Sequence, residues 1–101
     1  ETLGWVRYDP SEPPTSQSLL ALVDAWWPAC LVPLRGVRPI ATVNFTANLL
    51  VDPDSIGAQE PLIHHAFVSG GSQGFTSEQR RLWTADGRLV VDNLQSILFI
   101  A

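Results

Sequence analysis

The chain has 101 residues, 46% of them hydrophobic, and a net charge of −4. That length fits one domain with one core, and that hydrophobic content argues against disorder. No basic cluster favours nucleic acid as a partner, no apolar run approaches the roughly 20 residues that span a bilayer, and no stretch reads as a secretory leader.

Gly4 to Tyr8 reads as a short strand, rich in aromatic and β-branched residues. Asp9 to Pro14 is a loop, because Pro10, Pro13 and Pro14 break any ladder. Ser16 is placed to cap the helix that follows. The run Leu19 to Trp27 is apolar on every face except at Asp24. A surface helix shows one apolar stripe and one polar face, so this one is expected to be buried all round, over residues 16–27, and to end at Pro28. A carboxylate inside such a helix loses its hydration, at a cost of roughly 1–3 kcal/mol if it finds no partner. Asp24 is therefore the first candidate functional residue.

Cys30 has no second cysteine to pair with, which fits a cytoplasmic setting. Leu31 to Pro39 is a connector made polar by Arg35, Gly36 and Arg38. From Ala41 to Leu49, apolar and polar residues alternate, the pattern of a half-buried strand. A turn follows at Asp52 to Gly57, then a strand from Pro61 to Ser69. Gly70 to Gly74 reads as a hairpin turn or a bulged crossing. Phe75 to Thr84 and Leu89 to Ile100 are the last strands, joined by a tight hairpin at Asp86-Gly87. One wholly apolar helix among antiparallel strands predicts an α+β domain. A single antiparallel sheet wrapped around one central helix describes the hotdog fold.

Four segments then resemble the C-terminal half of the acyl-CoA thioesterase II family, whose members carry two hotdog halves on one chain. They are Leu22 to Pro28, Ala41 to Phe45, Trp83 to Val90, and Asn93-Leu94-Gln95. The resemblance runs from about Trp5 to the end, and it lies in the order and spacing of the segments. It implies that residues 1–101 form one hotdog domain, the C-terminal half of a double-hotdog protein. The start at Glu1 and the lack of Met fit a piece of a longer chain. The resemblance also implies an acyl-CoA substrate, no cofactor, and a second hotdog unit, either on the same chain or as a copy. In that family an Asp on the central helix, a Thr on the next strand and a Gln on the last strand hold the attacking water. By motif position these are Asp24, Thr42 and Gln95. Asn44 and Ser96 stand where the family often has an acid, and so bear on the charge around the site.

Thioester hydrolysis needs a positioned water, a base, and donors for the oxyanion. Asp24 suits the base, and Thr42 and Gln95 each offer donor and acceptor atoms. The oxyanion donor is not legible: Ser16 precedes Asp24 by about 12 Å of helix rise. Each residue has a plainer reading. Asp24 could be a structural acid, Gln95 a buried hydrogen-bonding residue, and Thr42 an outward strand residue unless a bulge turns it. His64 and His65 point to opposite faces of a strand and so do not share a metal. Arg80-Arg81 reads as a solvated strand edge, and Trp26, Trp27 and Trp83 as core. The competing functions are a non-catalytic hotdog assembly module and a hotdog hydratase, the latter disfavoured because the helix has no His.

Overall fold

The computed structural model describes residues 1–7, 13–26, 29 and 39–99. Tyr8 and most of the first loop, the expected helix end at Trp27 and Pro28, Cys30, the connector residues Arg35, Gly36 and Arg38, and Ile100 lie outside the described residues. Strands β1 (Thr2–Val6), β2 (Ile40–Leu49), β3 (Leu62–Ser72), β4 (Phe75–Trp83) and β5 (Leu89–Phe99) form one sheet, in the order β1-β3-β4-β5-β2. Every neighbouring pair is antiparallel. The helix α1 (Ser16–Val23) packs on one face of the sheet. This is the α+β hotdog arrangement expected from the order of elements. Among the described residues no helix is long and apolar enough to cross a membrane.

Local chemistry sets the two hairpins. Gln73 and Gly74, at φ +53° and +84°, join β3 to β4, because positive φ at both turn residues matches strand twist. Gly87, at φ +94°, lets the chain turn back between β4 and β5. There the Thr84 and Arg88 backbones bond at 2.9 Å, and the Arg88 N–H donates to the Thr84 hydroxyl at 3.0 Å. The predicted turn at Asp52 to Gly57 contains a 3-10 turn, Pro53–Ser55, capped by Asp52.

Directly opposed residues of antiparallel strands share a face, so the register identifies the helix-facing side. That face is graded along the strands. At one end Leu62, Leu82 and Val91 pack on Leu19 and Val23 of α1 to make the core. At the other end the same face carries His64, Glu78, Arg80, Asn93 and Gln95, all buried. At β1 the sheet comes so close to Trp26 that a Cβ on Gly4 would lie 2.1 Å from its ring.

The helix differs from its sequence reading in three ways. Thr15, not Ser16, is the N-cap: the Ser18 N–H donates to the Thr15 hydroxyl at 3.1 Å, and the Thr15 N–H donates back to the Ser18 hydroxyl at 2.8 Å. The helix ends at Val23 rather than near Trp27. It is also not buried all round. Leu19 and Val23 are buried, Leu20 and Leu22 half-buried, and Ala21 and Asp24 exposed. The reason is geometric: one sheet covers one face of a helix, and residues four apart share that face.

The β2 alternation also breaks. Thr42 opposes Ile97 and Asn44 opposes Ser96, so Val43 is an extra, bulged residue. The core leans heavily on α1. Leu19→Ala is expected to cost about 2–5 kcal/mol of unfolding free energy, the range for emptying a fully packed leucine site. Urea unfolding followed by far-ultraviolet circular dichroism measures it, with exposed Leu3 as the neutral control.

Candidate active site

Asp24 follows the last residue of α1 and caps the helix C-terminus, at φ −98° and ψ 3°. Its side chain is 58% exposed, which corrects the expectation of a buried acid. The carboxylate is tethered from the sheet instead. Its Oδ1 accepts from Arg80 Nη1 on β4 at 2.8 Å and from Gln95 Nε2 on β5 at 3.2 Å. The same Gln95 nitrogen donates to Asn93 Oδ1 at 2.8 Å, and Asn93 Nδ2 donates to the Thr46 carbonyl at 2.8 Å. This chain of bonds sets both amide orientations. Asn93 must give its nitrogen to a carbonyl, so its oxygen faces Gln95, and Gln95 must present its own nitrogen to two acceptors. Gln95 Oε1 is then left buried with no partner among the described residues.

Two of the three residues singled out from the sequence thus meet. Thr42 is exposed and makes no hydrogen bond to either among the described residues. The bulge at Val43 nevertheless turns it to the same face of the sheet as Gln95. Thr42 opposes Ile97, which lies two residues beyond Gln95 on β5 and so on its face. Strict alternation through Val43 would have put it on the far face. Asn44 and Ser96 oppose one another on that far face. They therefore lie across the sheet from Asp24, not around it as the sequence reading held.

Three participants escaped the sequence reading. Arg80, read as a solvated edge, is only 2% exposed. It donates through Nε to Glu78 at 2.7 Å and through Nη1 to Asp24. Ala66, directly opposite Arg80 on β3, is small enough to leave room for the guanidinium. The available signal was period two: Glu78, Arg80 and Leu82 fall on one face of β4, and Leu82 marks that face as the core. His64 is buried as well. Its Nε2 lies 2.9 Å from the Val23 carbonyl and its ring stacks on Trp26, 5.4 Å between centroids. A carbonyl only accepts, so Nε2 carries the proton and donates to one of the last carbonyls of α1. His65 lies on the opposite face, 2.8 Å from Glu1 Oε2, and that contact holds the Glu1 carboxyl below its usual range. Trp26 is half-buried, as is Trp83 on the outer face.

The family model described as acyl-CoA thioesterase C-terminal domain matches residues 1–99. Among solved structures, a hot dog fold protein of unknown function from Alicyclobacillus acidocaldarius is 33% identical, with a TM-score of 0.87, over 98% of this chain and 38% of that one. The tesB protein of Mycobacterium avium subspecies paratuberculosis is 17% identical, with a TM-score of 0.74, over 96% of this chain and 40% of that one. The probable thioesterase YbaW of Escherichia coli is 11% identical, with a TM-score of 0.72, over 99% of this chain and 83% of that one. The last two likenesses concern the fold alone. The chain spans about two fifths of the length of the first two. No curated protein matches it.

Burial pushes the His64 imidazole below its ordinary value of 6.5, and the bond to Val23 offsets this in part. The unfolded chain therefore takes up a proton near pH 6.5 that the folded chain refuses. Stability contributed by neutral His64 is complete above that pH and falls as pH drops below it toward the depressed folded value. Unfolding free energies measured from about pH 7.5 down to about pH 5 are expected to decline. His64→Gln keeps a donor for Val23 without titrating, so it should flatten that decline.

Proposed function

The chain belongs to the acyl-CoA thioesterase C-terminal domain family, and on that premise we propose that it is the hotdog unit carrying the general base of an acyl-CoA thioesterase. The observation that supports this reading best is the meeting of Asp24 and Gln95. The two are 71 residues apart in sequence and bonded at 3.2 Å. Asp24 Oδ1 is taken by two donors, and Oδ2 has no protein donor among the described residues. Gln95 Oε1 is a buried acceptor without a partner, and such an atom calls for a water or a ligand. One water with a proton toward Oδ2 and the other toward Oε1 would satisfy both. Thr42, turned to this side by the bulge, can close on the same water from β2.

That geometry supports one course for the reaction. Asp24 takes a proton from the water as its oxygen attacks the thioester carbonyl carbon. The tetrahedral intermediate collapses, the carbon–sulfur bond breaks with its electron pair going to sulfur, and the proton passes to the leaving thiolate. Free acid and coenzyme A result, with no covalent intermediate and no cofactor. Holding the water in line supplies much of the rate.

A second hotdog unit is part of this proposal, either upstream on the same polypeptide or as a copy. β2 is an edge strand of the sheet, and it exposes Val43 and Phe45. Uncovered edges of that length are pairing sites. A partner unit would also cover the exposed side of α1 beside Asp24 and bring the oxyanion donor. A cytoplasmic location belongs to the same reading. The alternative, a non-catalytic assembly module, predicts no turnover at all.

Thiol release from a panel of acyl-CoA chain lengths tests the proposal. Asp24→Asn is expected to lower kcat by roughly a hundredfold or more, the usual worth of a general base, with KM nearly unchanged. Thr42→Ala and Gln95→Ala should each cost less. Their combination should cost less than the sum, because both serve one water. Wild-type activity carried unchanged by Asp24→Asn would overturn the assignment.

A further inference from the structure

Asp24 has an unusual mechanical position for a base. It lies one residue past the end of α1 and its side chain is 58% exposed. At that exposure, burial leaves its rotamers largely open. What restrains it comes from the sheet, and the stronger restraint is charged. Arg80 is 2% exposed, and its guanidinium is divided between two carboxylates. Nε is on Glu78 Oε2 at 2.7 Å, and Nη1 is on Asp24 Oδ1 at 2.8 Å. A guanidinium is planar and its N–H directions are fixed. Once buried Glu78 holds the Nε edge, the direction of Nη1 is set, and it points at the helix end. Glu78 and Arg80 lie two apart on one strand face, with Gln95 and Asn93 directly opposite them. A rigid, buried pair on β4 thus reaches out to hold an exposed residue on another element.

Resting on the reading of Asp24 as the base, we propose that Arg80 is the positioning residue of this site, with Glu78 as its anchor. Arg80 does not touch substrate, because it is buried beneath Asp24. Its task is to bind Oδ1, together with the Gln95 amide, so that Oδ2 is the oxygen presented to water. Without it, Asp24 swings through the rotamers open to an exposed side chain, and the base meets the water out of line. A misplacement of about 1 Å costs about a hundredfold in rate.

Arg80→Met alone strands a buried carboxylate, so it is paired with the charge-balanced Glu78→Gln/Arg80→Met and with Arg80→Lys. Lysine keeps the charge but cannot serve both carboxylates along fixed directions. All are made in the full-length protein. For each variant that folds, kcat is expected to fall about a hundredfold with KM within about twofold, since the interaction lost is one that aligns the transition state. Added to Asp24→Asn, the same changes should cost nothing further. A crystal structure of the double variant should show α1 in place and the Asp24 carboxylate moved off the Gln95 amide. A purely structural Arg80 would give the opposite results: a lower melting temperature, and losses in the Asp24→Asn background as large as in the wild type. Asp24 still bonded to Gln95 in the double variant's crystal structure would overturn the proposal whatever the kinetics. Full turnover by Asp24→Asn, or none by the wild type, would instead sink the reading of the base, while the crystal structure still decides the role of Arg80.

Discussion

A guanidinium buried under the helix end is the constraint around which this domain is arranged. Moving such a charge out of water costs several kcal/mol unless partners surround it. Here the partners come from two directions: Glu78 from the same strand and Asp24 from the end of α1. The arrangement uses the helix-facing side of the sheet for two purposes. Where Leu62, Leu82 and Val91 meet Leu19 and Val23, that side is core. A few residues along the same strands it becomes a polar floor, with His64, Arg80, Asn93 and Gln95 all buried on that face. The helix ends above the junction of the two. His64 takes the Val23 carbonyl, and Arg80 takes the carboxylate of the next residue. With Gln95 on the same carboxylate, the end of α1 is thus held at consecutive residues by three strands, β3, β4 and β5.

Register irregularities put residues on that floor which a regular sheet would send elsewhere. Between Thr42 and Asn44 the β2–β5 ladder gains a residue on β2. Below the bulge, Phe45, Ala47 and Leu49 oppose Gln95, Asn93 and Val91; above it, Thr42 opposes Ile97. A second irregularity, between Leu82 and Trp83, brings Val90 as well as Val91 into the core. An extra residue flips the side-chain sequence by one. One bulge thereby gives a face to a threonine, and the other gives the core a valine.

The surfaces left open have a consistent geography. Among the described residues, the outer side of α1, the side chain of Asp24 and the outer edge of β2 with Val43 and Phe45 are all exposed. In the proposed site the base and the water-holding amide stand on one unit at this boundary, and the walls remain to be supplied. That is the structural sense of the proposed second hotdog. At that boundary the Asp24 side chain is 58% exposed, and its hydrogen bonds among the described residues come from Arg80 and Gln95.

Composition and pattern alone determined the class of this domain. The apolar run around Asp24, the period-two strands from Ala41 onward and the Asp86-Gly87 turn dictate a helix and a set of antiparallel strands, because local propensity and hydrophobic periodicity need no partner to be read. The motif order pointed to the family, and to Asp24, Thr42 and Gln95. Tertiary structure decided the rest. The burial of the helix depended on how many sheets cover it, which no local pattern records. Thr42 reached its face only through a bulge, and nothing in the alternation from Ala41 to Leu49 marks Val43 as the extra residue. Arg80 looked like surface beside Arg81, since a charged pair says nothing of which member turns inward. Only the pairing of β4 between β3 and β5 put Glu78 and Arg80 beneath the end of a helix more than fifty residues earlier in the chain. A salt bridge across that separation is a property of the fold, because the desolvation that makes it matter exists only once the sheet has closed over it.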